Sequence, residues 1–284
     1  MYLAHWNLAD PPFQNIADPR FAYLSDQHQE GLARLIYLVK SRKLGGALIG
    51  AYGVGKSMIL ELLARSDLDG SRFAQFDTPP GGAEGLIRQI LTAVGVEPAA
   101  DTPTAALAAL RAAATQARGG FTHTTLAIDE AQMIRDTESV ELLHRLTNFR
   151  VPGGANRPDQ PAFTLILSGY LAPDHPALQD RALRQRLTTI WTLAPLDAAQ
   201  TAEYVALRMR AAGGDIWVFE DDAIAALAGA SGGIPRLINN ICDVALMNGF
   251  SLKAPRITRE LMAQAIAEAC PPTGDRAPLT APHA

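Results

Sequence analysis

Cysteine is scarce in this 284-residue chain: Cys242 and Cys270 are the only two, and no C-x-x-C pair occurs. The scarcity excludes a disulfide framework and a thiolate zinc site, leaving two reduced structural thiols in apolar, helix-like stretches. The six histidines, His5, His28, His123, His144, His175 and His283, lack the H-x-x-x-H and H-E-x-x-H spacings of imidazole metal sites. No apolar run reaches the roughly 18–20 residues of a membrane span. The opening MYLAHWNLADPP has neither the basic start nor the apolar middle of a signal peptide. A cytoplasmic protein without a membrane span is therefore expected. An excess of positive charge is also missing: 25 Lys and Arg stand against 29 Asp and Glu, for a net charge of -4. With an isoelectric point near 5.9, the chain has no global attraction to nucleic acid.

What is present suits a folded enzyme-sized domain. Hydrophobic residues make up 48% and charged residues 19%, enough to bury a core and too little charge for wholesale disorder. Residues 1–24, with Pro11, Pro12 and Pro19 among aromatics, read as an extended segment packing on the core. Ser25 reads as an N-cap for a helix over about 26–43, with Leu32, Leu35, Ile36 and Val39 on one face. Strands are expected at 46–50, 72–77, 124–130, 163–169 and 188–193, alternating with helices at 55–65, 83–95, 103–118 and 140–149. This alternation implies a parallel sheet covered on both faces. Residues 151–161 read as an exposed loop. After Pro195 the strands stop, and helices at about 197–212, 220–229, 235–249 and 258–269 predict a second, all-helical domain. The expected organisation is therefore an N-terminal segment over 1–24, an α/β domain over 25–195, a helical lid over 196–270 and a disordered tail over 271–284.

The first strand runs into GAYGVGKS, residues 50–57, which fits G-x-x-x-x-G-K-[ST] with a strand before and a helix after. Gly50, Ala51, Tyr52, Gly53, Val54 and Gly55 would curl the backbone so that successive N–H groups point inward. The helix that follows, beginning at Lys56, Ser57 and Met58, adds its positive end. Lys56 is placed to reach the β- and γ-phosphates of ATP, and Ser57 to ligate Mg²⁺. The third strand, TLAIDEA, ends in two carboxylates. At the C-terminal edge of a strand beside the phosphate loop, Asp129 is the second candidate for Mg²⁺. Glu130 is the candidate to orient and polarise the attacking water.

Three further positions are candidates for sensing or stabilising the nucleotide. The fourth strand ends at Ser168-Gly169-Tyr170, so Ser168 or Tyr170 can present a polar group near the γ-phosphate. SGGIPRLINN, residues 231–240, starts a helix at Pro235 with Arg236 in its first turn. A cation there is not favoured by the helix dipole, which suggests an anionic target. DRALRQRL, residues 180–187, offers Arg181, Arg184 and Arg186. Arg186, nearest the fifth strand, is the first choice for an arginine reaching the γ-phosphate of a neighbouring subunit, and Arg184 the second.

These motifs together resemble the AAA+ ATPases of the ExeA/GspA type, linked to general secretion, pilus and cell-envelope assembly. The resemblance runs over PPFQNIADPRFAYLSDQHQEGLARL (11–35), GAYGVGKS, LAIDEAQ (126–132), LLHRLTN (142–148), LRQRL (183–187), LAPLD (193–197) and GGIPRLINNICDVAL (232–246). It implies a P-loop NTPase AAA+ core, a parallel five-stranded sheet of order 5-1-4-3-2 with helices on both faces, followed by a small helical lid. It implies nucleotide at the junction, Arg236 as the second sensor, and a ring or filament of identical subunits with composite sites. It also implies that Asp18, Pro19, Arg20 and Phe21 help enclose the base. The chain departs from the group in having Gly169-Tyr170 where Gly-Gln is usual and Phe149-Arg150 where an acidic residue is usual. Its 151–161 loop looks longer and is a candidate partner contact. Members of the group continue into a membrane span and an envelope-binding domain, neither of which is seen in this sequence.

The expected function is a Mg²⁺-dependent ATPase that oligomerises and acts on a protein partner in envelope or secretion-type assembly. One alternative is an ATP-dependent, DNA-bound regulator resembling the TnsC-type transposition ATPases. There Arg34, Lys40, Arg42 and Lys43 would form a phosphate-binding stripe, although the acidic isoelectric point and the four lysines weigh against nucleic acid. Another alternative is a nucleotide-gated scaffold with slow turnover. No aromatic pore-loop string of the polypeptide-threading kind occurs.

Overall fold

The computed structural model describes residues 2–97, 102–116, 123–152 and 158–270. The chain divides into two compact units. One is Ala17–Ala194. The other joins the N-terminal residues as far as Ile16 to the chain from Pro195 onward.

The first unit is built on five parallel strands: β1 (Gly45–Gly50), β2 (Arg72–Asp77), β3 (Thr124–Asp129), β4 (Phe163–Gly169) and β5 (Leu187–Leu193). Their order across the sheet is β2-β3-β4-β1-β5, the expected 5-1-4-3-2 read from the other edge. β3 and β4 are buried along their whole length, as their unbroken apolar runs require of strands covered on both faces. Side chains then sort by the two-residue period of a strand. Ala47, Leu126, Ile128, Leu165 and Leu167 face one side, where they meet Leu86, Ile87, Ile90 and Leu91 of α3 (Gly82–Val94), Leu110 of α4 (Pro103–Gln116) and Leu142, Leu143 and Leu146 of α5 (Thr137–Leu146). Leu48, Ala127, Ile166 and Leu193 face the other side. There they meet Leu35, Leu38 and Val39 of α1 (Asp26–Lys40) and Ile59, Leu60 and Leu63 of α2 (Lys56–Ala64). Each fully buried leucine or isoleucine in these layers contributes about 1.5–3 kcal/mol.

Two local expectations change. Ser25 stands at the N-cap of α1 but makes no capping bond to a backbone N–H; its hydroxyl is engaged with the His28 ring at 2.6 Å instead. The stretch expected as a loop over 151–161 is tied at its ends, where Arg150–Val151 pairs antiparallel with Gln160–Pro161; residues 153–157 lie outside the described residues.

The second unit packs α6 (Ala198–Ala211), α7 (Asp221–Ser231), α8 (Pro235–Ser251) and α9 (Arg259–Ala269) around Leu227, Ile238, Ile241, Leu246, Met262 and Ala265. Cys242 is fully buried among them, and burial pushes its thiol pKa well up, so it packs as an unreactive apolar group. The N-terminal residues, expected as one extended segment on the α/β core, divide instead. Residues 17–24 go with the α/β unit, and those up to Ile16 go with the helices. The reason is polar. Arg208 is 3% exposed and donates to the carbonyls of Pro12 at 2.6 Å and Gln14 at 3.0 Å. Trp6 Nε1 donates to the Leu246 carbonyl at 2.9 Å. A buried guanidinium needs such acceptors. The tail expected to be disordered over 271–284 lies outside the described residues.

Candidate functional site

The phosphate loop joins β1 to α2, and its shape follows from its glycines. Gly55 has φ +108°, a left-handed conformation that disfavours side chains, and a Cβ there would lie 3.1 Å from His28 Nε2. His28, buried on α1, fastens the loop from below. Its Nε2 faces the Val54 carbonyl at 3.0 Å and its Nδ1 faces the Ser25 hydroxyl at 2.6 Å. Burial holds the His28 pKa below its usual range, against the opposing pull of the Val54 bond. The neutral ring then has one arrangement: Nε2–H donates to the carbonyl, and Nδ1 accepts from Ser25. Val54 is buried at 1% exposure, while Ala51, Gly53 and Met58 are half-buried and Tyr52 is exposed.

Lys56 opens α2 with its side chain 8% exposed, donating from Nζ to the carbonyls of Gly50 at 3.0 Å and Ala51 at 2.9 Å. The ammonium is thus held within the curl of the loop, at the amino-terminal end of a nine-residue helix. Backbone N–H groups and the helix dipole there favour an anion.

At the next residue, Ser57 Oγ donates to Asp129 Oδ2 at 2.8 Å. Asp129, 4% exposed at the end of β3, also accepts from Ser168 Oγ of β4 at 2.8 Å and from the Glu130 N–H at 3.0 Å, both on Oδ1. Thr78, just past β2, donates both its N–H and its hydroxyl to the Asp129 carbonyl, at 2.9 and 3.1 Å. The ends of β3, β4 and α2 therefore converge on one carboxylate, and the end of β2 holds the backbone carbonyl of the same residue. A hydroxyl and a carboxylate side by side next to a buried ammonium are the oxygen donors that suit a hydrated Mg²⁺ ion.

Glu130 follows with φ +52°, the left-handed region, where a non-glycine residue is strained. Its side chain is exposed, and its Oε2 accepts from Gln132 Nε2. Of the two positions offered for the sensor on β4, Ser168 joins the Asp129 network. The Tyr170 ring instead packs on Tyr52, with centroids 5.6 Å apart. Arg186 is half-buried and tethered, donating to the Ala182 carbonyl at 2.7 Å and to Asn148 Oδ1 at 3.1 Å. Arg184, on the turn capped by Asp180, is exposed, and its side chain makes no hydrogen bond or ion pair among the described residues. Arg236 is likewise exposed, in the first turn of α8 of the helical unit. Asp18 and Arg20 pair with each other at 2.7 Å on a short turn that buries Phe21.

Residues 39–171 match the model of the AAA domain family. General secretion pathway protein A of Aeromonas hydrophila is 29% identical over 267 residues, which is 90% of this chain and 46% of that protein. The chain thus spans about half the length of this curated relative. Among solved structures, ORC2 of Aeropyrum pernix, in complex with ADPNP and ADP, superposes with a TM-score of 0.67 at 14% identity, over 90% of this chain and 72% of that one. CDC6P of Pyrobaculum aerophilum gives 0.64 at 16%, over 89% and 71%. RuvB of Thermotoga maritima, a Holliday junction branch migration motor, gives 0.57 at 19%, over 86% and 69%. Residues 39–171 are therefore assigned as an AAA domain. The similarity to general secretion pathway protein A extends well beyond that matched segment. The low-identity structures show the shared AAA fold.

The sequence motifs do not single out two residues of this AAA site. His28 lies far along the chain from the loop it supports, and nothing in its own helix pattern marks it. Gln132 was visible as the end of the Ile-Asp-Glu-Ala-Gln string, but a polar residue in a turn has no periodicity to expose its partners. Among the described residues, no helix is long and apolar enough to cross a membrane.

Proposed function

We propose that this chain binds Mg·ATP and hydrolyses it, with Lys56 gripping the phosphates, Ser57 and Asp129 holding Mg²⁺, and Glu130 orienting the water. The observation that supports this reading best is the convergence of Ser57, Ser168 and Glu130 N–H on the Asp129 carboxylate. A carboxylate held by three donors is fixed in direction before any ligand arrives, and that preorganisation is what phosphoryl transfer demands. When bound, Mg²⁺ would neutralise phosphate charge. Ser168 keeps Asp129 aligned, and Glu130 accepts a hydrogen bond from the attacking water. Arg236 is the proposed phosphate contact of the helical unit.

The active site is completed, in this proposal, by an arginine of an adjacent copy in a ring or filament. Arg186 and Arg184 are the two candidates. The tether to Asn148 holds Arg186 in one direction, and Arg184 is unpaired among the described residues. The work done on ATP would act on a protein partner in envelope or secretion-type assembly, a reading supported by the similarity to general secretion pathway protein A, and the cytoplasm is the proposed location. Binding to nucleic acid is less favoured. Of the four residues of the basic stripe, Arg34 pairs with Glu30 at 2.6 Å and stacks on Trp191, and Lys40 pairs with Asp69 at 3.4 Å. Arg42 donates to Gln160, and Lys43 faces the Tyr37 ring.

The test is size-exclusion chromatography with light scattering on wild type and Glu130→Gln, with and without Mg·ATP. A defined oligomer that forms with ATP and persists in Glu130→Gln is expected. A chain that binds ATP and stays monomeric at high concentration would refute the composite site. Mixing Arg186→Ala or Arg184→Ala with Lys56→Ala subunits then identifies the arginine, because the true finger variant regains activity in mixed assemblies.

A further inference from the structure

Gln132 has no part in the scheme above, yet it is the best-placed side chain to act on it. It lies in the turn after β3, 5% exposed, and its amide is engaged at both ends. Nε2 donates to Glu130 Oε2, and Oε1 accepts the Tyr170 N–H at 3.0 Å. A glutamine amide supplies one donor for a carboxylate and one acceptor for a backbone N–H on a single planar group; an ionised glutamate could not donate. Gly169 makes room for it, since a Cβ there would stand 2.2 Å from Gln132 Oε1 and 3.0 Å from the Ala131 nitrogen. On the far side, the Tyr170 ring packs on Tyr52 of the phosphate loop at 5.6 Å with a 32° tilt, and Tyr52 lies 5.9 Å from Lys56 Nζ. Contacts therefore run without a break from Lys56 through Tyr52, Tyr170 and Gln132 to the Glu130 carboxylate.

The geometry points to Gln132 as a positioning residue for hydrolysis that fixes the Glu130 carboxylate, with the Tyr52–Tyr170 ring pair tying that setting to the phosphate loop. The assignment rests on the hydrolytic reading of Glu130 given above. Glu130 needs such a partner. It is exposed, and among the described residues the bond from Gln132 is the one its carboxylate accepts. Left free, a glutamate samples several rotamers, and few of them face the reacting water. A phosphate that draws Lys56 away from the carbonyls of Gly50 and Ala51 alters its contact with Tyr52. The ring pair transmits that change to the Tyr170 backbone and so to Gln132. Tyr170 stands where the resembling group usually has the glutamine of Gly-Gln, and its ring finds its partner in the loop.

The test is steady-state ATP turnover beside the affinity for a fluorescent ATP analogue, on the full chain. Gln132→Ala is expected to lower kcat about tenfold to a hundredfold with affinity kept within about twofold. Gly169→Ala, which drives a methyl into the same amide, should behave alike. Tyr170→Ala should lower kcat severalfold and Tyr170→Phe should restore it, because the ring and not the hydroxyl makes the contact. Wild-type kcat in Gln132→Ala, or kcat and affinity falling together, overturns the positioning role. Equal losses in Tyr170→Phe and Tyr170→Ala overturn the ring link. Tyr52 and Tyr170 are 54% and 45% exposed, so the tyrosine variants keep the test open if Gln132→Ala fails to fold. A wild type that binds the analogue and never turns over ATP refutes the hydrolytic reading itself, an outcome distinct from the loss of kcat in a single variant.

Discussion

Lys56→Met separates the binding role of this lysine from any role in stability. The Lys56 ammonium is 8% exposed, with two carbonyl acceptors at 3.0 and 2.9 Å. Desolvating a cation is costly, and an apolar side chain of similar length removes that penalty along with the charge. Methionine follows the same path without the charge, and the freed carbonyls can take water from the open mouth of the loop. The folded state should therefore lose nothing and can gain about 1 kcal/mol. Binding should suffer heavily. A charge-assisted hydrogen bond is worth about 1.5–3 kcal/mol, and Lys56 is placed to make two to phosphate oxygens. Their loss should weaken ATP about a hundredfold or more. A thermal melt with Mg·ATP at about 100 times the wild-type Kd reads both effects. Ligand should raise wild-type stability by about 2.7 kcal/mol, or roughly 5–10 °C. The variant should start at or above the wild-type midpoint and rise by at most about 1–2 °C. A variant that melts lower without nucleotide and still rises with ATP would refute the reasoning, because Lys56 would then be a structural residue.

Ser57→Ala should raise the Mg²⁺ concentration for half-maximal hydrolysis about tenfold or more, while nucleotide binding in chelator stays unchanged; an unchanged Mg²⁺ requirement would remove Ser57 from the metal site. His123 is 3% exposed between Ser71 Oγ and Thr164 Oγ1, and burial together with the nearby Arg42 lowers its pKa from 6.5 to about 4. The neutral ring is favoured in the folded state, so its contribution is full above pH 6.5 and is lost as pH falls from there toward 4, by at most roughly 3 kcal/mol. Urea midpoints at pH 8 and pH 5 should differ less in His123→Gln than in wild type, and an equal difference would contradict the assignment. Leu143→Ala, at a side chain with no exposure between α5 and the sheet, should cost about 2–5 kcal/mol in urea unfolding with ATP affinity retained.

The legible parts of the sequence were those where one local rule dominates. β2 and β4 could be placed to the residue because turn residues bound each of them. The phosphate loop and the Asp129-Glu130 pair could be named because a fixed spacing of glycine, lysine and carboxylate has few other uses at a strand end. What stayed hidden depends on contacts across long stretches of chain. His28 meets Val54 from another helix, and Arg208 draws the residues around Pro12 to the helical unit through carbonyl acceptors that no side-chain pattern reveals. Ser25 looked like a cap because serine before a helix usually is one, but the buried His28 ring competes for its hydroxyl. Tyr170 looked like a sensor because its hydroxyl is polar, whereas its ring found an aromatic partner in the loop.

The most direct test of the central claim is phosphate release from saturating Mg·ATP by wild type and Glu130→Gln, each with its ATP affinity measured in the same buffer. Hydrolysis by wild type, with Glu130→Gln binding equally well and losing about a hundredfold or more in rate, is the predicted result. Equal rates in the two proteins, or binding without turnover in wild type, would contradict the assignment of Glu130 as the residue that orients the attacking water.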